Sequence, residues 1–192
     1  VAASDEFTLE EIDWIANNPV IKVGGQFDWG PFDFANAQGQ YTGIANDFLN
    51  LIAERTGLQF EVETDSWSNL LRKFEAAEID LLPALYYSEE RSDTYNFTSN
   101  YHQVTEYIFA RNDAGIRSAE DLPGKTAAMI SGFASIETLR QAYPDLEIIE
   151  FTSLDEAIDA VVTYRADILF DALATISYTL RQKSITNIRP VF

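Results

Sequence analysis

The chain has 192 residues, with 13 basic and 31 acidic side chains, one His, no Cys and a net charge of −18. A chain of this length buries roughly 70% of its unfolded surface and needs no disulfide or metal staple, and 46% hydrophobic with 23% charged residues excludes wholesale disorder. The charge and the lack of any basic cluster exclude nucleic-acid binding through counterion release and docking on anionic membrane surfaces, while the longest apolar run, Leu81 to Tyr87, is too short to span a bilayer.

In chain order, Val1-Ala2-Ala3-Ser4 has the small-residue character of a signal-cleavage site, or equally of a cloning boundary. Ile21-Lys22-Val23, ending at Gly24-Gly25, reads as a strand, and Asn36-Ala37-Gln38-Gly39 as a turn. Ile44 to Thr56 is a predicted helix with Ile44, Phe48, Leu51 and Ile52 on one face and Gly57 as its stop. Phe60-Glu61-Val62 alternates as a strand. Ser68 to Ala77 is a helix facing Leu70, Leu71 and Phe74 inward, and Asp80 to Ala84 and Tyr107 to Ala110 are apolar strands.

Beyond the polar break Arg111 to Gly115, Ser118 to Asp121 carries a capping-box pattern. Thr126 to Ile130 is a strand, followed by a helix from Ser135, its cap, to Ala142, and a strand from Glu147 to Phe151. Ser153 caps a helix reaching about Tyr164, Ile168 to Phe170 is a strand, and Leu173 to Lys183 is a helix. This alternation argues for α/β lobes with mostly parallel sheets. The break divides the chain into 1–110 and 111–192, with a hinge near 110–113.

Several chemistries lack their residues. Without Cys there is no thiolate nucleophile, zinc knuckle or iron–sulfur ligand set. His102 cannot form a metal pair by itself, has no Gly-x-Ser-x-Gly elbow to serve, and reads as a partly buried surface residue. Gly124-Lys125-Thr126 has Ala119 where a P-loop needs its first Gly, and Gly24-Gly25 lacks the third Gly of a dinucleotide fingerprint. No cofactor and no metal is implied.

The ordered set of short motifs resembles the bacterial extracellular solute-binding proteins of the amino-acid-binding type, family 3. These motifs are Gly24 to Phe34 (GGQFDWGPFDF), Gly43-Ile44 with Asp47, Ile79-Asp80-Leu81 followed by Ser88-Glu89-Glu90-Arg91, Phe97-Thr98 with Tyr101, Ile116 to Lys125 with Gly132 and Ser135, and Ala166-Asp167. The resemblance implies a two-lobed, periplasmic-binding-protein-like fold of type II, the Venus flytrap, with a ligand in the cleft and signalling by lobe closure. Relatives run on to a return crossing and a closing helix, which this chain is expected to lack, leaving apolar surface that a dimer partner would cover. Leu82 to Ser88 and Phe170-Asp171-Ala172-Leu173 resemble the sensor domains of transmembrane histidine kinases and diguanylate cyclases. The expectation is therefore a periplasmic sensor domain, anchored to the membrane only through a segment outside the chain. Alternatives are the receptor of an amino-acid ABC transporter and, on the same fold, a dehydratase, although no acid–base pair can be placed.

The resemblance also assigns roles at an amino-acid-like or small-carboxylate site. Arg91 would grip a carboxylate through its two-pronged guanidinium, against the plainer reading of an ion pair with Glu89, Glu90 or Asp93. Gly132 to Ser135, including Phe133, would offer backbone N–H groups to an anion. Trp29 and Tyr86 would form an aromatic wall, with Phe32 and Tyr87 read as core. Asp171 would meet the ligand ammonium, one residue before Ala172, where relatives usually carry that Asp.

Overall fold

A computed structural model describes residues 7–192; the Val1 to Ser4 segment lies outside the described residues. In chain order the elements are α1 (Leu9–Asn17), β1 (Val20–Gln26), β2 (Asp28–Trp29), β3 (Asp33–Ala35), β4 (Tyr41–Thr42), α2 (Ile44–Thr56), β5 (Gln59–Asp65), α3 (Trp67–Glu75), α4 (Glu89–Ser92) and β6 (Glu106–Arg111). A 3₁₀ turn at Ala119–Asp121 leads into β7 (Thr126–Ile130), α5 (Ser135–Ala142), β8 (Glu147–Phe151), α6 (Leu154–Val162), β9 (Ile168–Ala172), α7 (Leu173–Gln182) and β10 (Ile188–Pro190). The predicted α/β class holds, and α1 and α4 are additions to it.

The chain forms two compact units. The first runs to Phe27 and resumes over Phe32–Ala84; the second comprises Asp28–Pro31 and Leu85–Phe192. This division falls elsewhere than 110–113. The reason is β6, which lies between β10 and β9 in the second unit's sheet, so backbone hydrogen bonds tie residues 106–111 to that unit. Arg111, expected near a hinge, is a buried strut. Its Nη1 donates to the Val161 and Ala166 carbonyls at 2.6 and 2.7 Å, and its guanidinium lies 4.1 Å from the centre of the Tyr164 ring.

In the first unit β1 pairs with β5 in parallel, from Val20↔Gln59 to Gln26↔Asp65. The strand runs through Gly24 and Gly25 rather than ending there. Both positions are bare because neighbours occupy the space: a Cβ on Gly24 would lie 2.9 Å from Ile79, and one on Gly25 would run into the Tyr41 ring. That ring is held by its hydroxyl, which donates to buried Asp33 at 2.7 Å. Helix α2 ends at Gly57 in the left-handed region, as expected. Its inward face differs, however. Ala45 and Leu49 are buried, whereas Phe48, Leu51 and Ile52 are exposed. The Ala45 N–H donates to the Phe32 carbonyl at 2.8 Å, pinning the small side chain inward and turning the apolar flank out. Helix α3 buries Leu70 as predicted, together with Trp67. The expected strand over Asp80 to Ala84 is a single bridge, Val23↔Leu81; Pro83 has no N–H to extend a ladder.

The second unit's sheet has the order β10-β6-β9-β7-β8. Strands β7, β8 and β9 are parallel, while β6 runs antiparallel to both β9 and β10. Helix α6 is capped by Ser153, whose hydroxyl accepts from the Glu156 N–H, and it buries Leu154, Ala157, Ile158, Ala160 and Val161. The capping box at Ser118 is present and heads the 3₁₀ turn. His102 is exposed rather than partly buried.

Gly25→Ala is expected to destabilise the first unit by about 1–3 kcal/mol, the usual cost of overpacking, measured as a lower midpoint in urea.

Candidate ligand site

Of the sequence-predicted residues, Trp29, Tyr86 and Asp171 come together in the second unit, where β9 ends and β6 begins. The register sets Tyr107 opposite Asp171 and Glu106 opposite Ala172. The carboxyl ends of parallel strands β7 and β9 lead into α5 and α7, the usual place for a ligand in an open α/β sheet.

Asp171 is 1% exposed. Its Oδ1 accepts from the Trp29 indole N–H at 3.1 Å and from the Ala172 N–H at 2.6 Å. Its Oδ2 makes no hydrogen bond among the described residues. Burial disfavours the ionised form and pushes the carboxyl up to about 7; the two N–H donors oppose that shift, and the charges of Glu106 and Asp28 add to it.

Trp29 is buried and meets Tyr86 edge-to-face, with ring centres 5.8 Å apart. The two rings therefore pack on one another. The Tyr86 hydroxyl makes no hydrogen bond among the described residues, and burial, then the charges of Glu106 and Asp171, hold its pKa above the ordinary tyrosine value. Phe32 is buried as expected. Tyr87 is instead 59% exposed, stacking edge-to-face on Phe97.

Arg91 sits on the one-turn helix α4, whose cap Ser88 accepts from the Arg91 N–H at 3.2 Å. Its Nη1 donates to the Tyr86 carbonyl and its Nη2 to the Gly132 carbonyl, both at 3.0 Å. The guanidinium therefore stitches α4 to the loop before α5. Partial burial lowers its pKa, opposed by Tyr95 and Glu90.

The Gly132 to Ser135 loop differs from its expected form. The Phe133 N–H donates to the Ile130 carbonyl at 3.2 Å, and the Phe133 carbonyl accepts from Ile136. Phe133 packs against the second unit's apolar core. Ser135 does not cap the helix; the N-cap is Ala134, without a side-chain bond, and Ser135 opens the first turn. Its hydroxyl is buried, with the Glu106 carboxyl nearby.

Three residues of this region were missed by the sequence reading. Asp28 caps α6 from outside, accepting from the Leu154 N–H at 2.6 Å; burial pushes its carboxyl up to about 6 despite that bond. Glu106 is partly buried, with one oxygen lacking a hydrogen bond. Burial raises its pKa, while the nearby Ser135 hydroxyl pulls it down. Thr175, on the first turn of α7, is fully buried with its hydroxyl likewise unpartnered. A signal for Glu106 was available: it is the one acid in the otherwise apolar and aromatic run Glu106-Tyr107-Ile108-Phe109-Ala110. Among the described residues no group of His, Cys, Asp or Glu is arranged to hold a metal ion.

The sequence profile of the bacterial extracellular solute-binding proteins, family 3, matches residues 21–188. The chain belongs to this family. It is 30% identical over 178 residues to the virulence sensor protein BvgS of Bordetella bronchiseptica, covering 92% of the chain and 14% of that protein. It is also 25% identical to the L-cystine-binding protein TcyJ of Escherichia coli, over 80% of the chain and 59% of the relative. The second periplasmic Venus-flytrap domain of Bordetella pertussis BvgS superposes with a TM-score of 0.84 at 27% identity, over 96% of this chain and 80% of that one. The family is a solute-binding one, and the fold is the type II Venus-flytrap fold. The chain spans 14% of the length of the Bordetella sensor proteins, and no helix of the described residues is long and apolar enough to cross a membrane.

The two raised carboxyls set a pH dependence. An unfolded Asp releases its proton near 3.8, whereas native Asp171 holds its proton to about 7 and Asp28 to about 6. Between those values the native state binds more protons than the unfolded chain, so their contribution to stability falls as pH rises through the window. The thermal midpoint of Asp171→Asn, which has no charge to bury, should therefore gain on wild type as pH is raised from about 5 to about 8. A constant difference between the two proteins would contradict the assignment.

Proposed function

We propose that the chain is an extracytoplasmic sensor domain of a membrane-anchored signalling protein, binding an amino-acid-like ligand and signalling by lobe closure. The observation that carries the reading is Asp171: a buried carboxylate with one oxygen fixed by Trp29 and Ala172 and the other without a hydrogen bond. Such a group is costly for folding alone and suits a ligand ammonium. Trp29 and Tyr86 provide the wall beside it, and Ser135 lines the entry to α5. Arg91 takes the ligand carboxylate, exchanging its carbonyl partners for a two-pronged charged contact. Phe133 shapes the loop through its packing. The likeness to BvgS over nearly the whole chain supports the sensor reading, with kinase output supplied by the rest of the parent protein. The likeness to TcyJ supports a second reading, a transporter receptor using the same site.

The test is a thermal-shift screen of amino acids, amines and small organic acids, followed by calorimetry on Arg91→Ala and Asp171→Asn. A ligand at a hundred times its Kd adds about 2.7 kcal/mol, a rise of roughly 5–10 °C for a domain of this size. Both variants should lose the shift, and binding should change the emission of wild type but not of Trp29→Phe. A ligand that binds both variants as tightly as wild type would overturn the site.

A further inference from the structure

Trp29 can occupy one oxygen of Asp171 only if its own backbone is held. That backbone belongs to β2, a strand of two residues followed by Gly30. By packing, Asp28 to Pro31 are part of the second unit. The residue before Trp29 supplies a hold. Asp28 Oδ2 accepts from the Leu154 N–H at 2.6 Å, across 126 positions of sequence. The Trp29 indole N–H donates to Asp171 Oδ1 at 3.1 Å, across 142. Successive side chains of a strand point to opposite faces, so a single step of backbone carries both contacts.

Helix α6 does not need Asp28 for its own start. Its N-cap Ser153 already accepts from the Glu156 N–H, and Glu156 in turn accepts from the Thr152 N–H and hydroxyl. Leu154 is the first residue of α6, so its N–H has no partner within the helix and lies at the positive end of the helix dipole. A carboxylate there makes a charge-assisted bond. The bond is made against resistance, because burial and the charge of Asp155 both disfavour ionised Asp28. An acid held at a cost, on a helix already capped, serves the segment that carries it.

We propose that Asp28 is a positioning residue of the ligand site. By anchoring β2 to the first turn of α6 it keeps the Trp29 indole N–H on Asp171 Oδ1, and so leaves Oδ2 as the oxygen that meets the ligand. The last step rests on the reading of Asp171 as an ammonium site; the hold of Asp28 on Trp29 is measurable without a ligand.

The measurement is hydrogen exchange followed by NMR on the ligand-free protein, whose three Trp residues give three indole N–H signals. The signal that Trp29→Phe removes is that of Trp29. In Asp28→Ala this N–H should exchange at least about tenfold faster than in wild type, the scale of one lost hydrogen bond to a charged group. Asp28→Asn keeps an oxygen for the Leu154 N–H and caps as well as Asp, so exchange should stay within about threefold of wild type. Ser153→Ala removes the cap of α6 without touching β2 and should likewise leave Trp29 slow. Exchange that is unchanged in Asp28→Ala, that stays fast in Asp28→Asn, or that rises as much in Ser153→Ala overturns the role of Asp28. Trp29→Phe gives the converse test and does not depend on Asp28→Ala folding. Coupling is reciprocal, so in Trp29→Phe the Leu154 backbone N–H should exchange faster, and an unchanged rate overturns the proposal. A ligand screen negative for every amine overturns the last step together with the reading it rests on, whereas failure of the exchange test in a protein that binds an amine overturns Asp28 alone.

Discussion

Pairing of β6 with β9 carries much of the second unit. Five residue pairs, Glu106↔Ala172 to Ala110↔Ile168, join a strand from before the polar break to one from far beyond it. The same ladder buries Ile108 and Phe109 in the core and sets the unit boundary at Ala84/Leu85. At its open end it brings Glu106 level with the carboxyl end of β9. Core and site thus depend on one register, which sets Asp171 level with Tyr107 and Glu106 level with Ala172, and a slip of one residue would turn every side chain of β6 to the other face of the sheet.

Electrostatics separates two populations of acids. Most of the 31 acidic side chains are surface groups that keep an acidic chain solvated. Some are surface caps whose pKa is lowered by local hydrogen bonds, as with Glu11 at Thr8 and Glu156 at Thr152. Asp28, Glu106 and Asp171 shift the other way because burial outweighs the donors they find. The first kind supports folding near neutral pH and the second opposes it. Of these, Glu106 and Asp171 lie at the same end of the β6–β9 pair, while Asp28 lies on β2.

Arg91 and Arg111 show how basic residues are used where they are scarce. Arg111 is consumed by structure, bonded to two carbonyls and covered by Tyr164. Arg91 holds two carbonyls as well, but from a one-turn helix and only partly buried.

Local chemistry made much of this legible in the sequence. Gly57 as the stop of α2, Ser153 as the cap of α6 and the β7-α5-β8-α6-β9-α7 alternation follow from propensity, capping and periodicity over short windows. The ordered motifs carried the family, and Trp29, Tyr86 and Asp171 do come together. What the sequence could not determine was orientation and long-range pairing. Phe48, Leu51 and Ile52 form a plausible inner stripe, yet a backbone bond from Ala45 to Phe32 turns that stripe outward. Ser135 looks like a cap, yet the helix begins one residue earlier. Glu106 looks like a solvated charge at a strand end until β9 lies beside it. Such features depend on contacts between residues many tens of positions apart, where the physical outcome is decided by which backbone groups find each other and not by any window of neighbouring side chains.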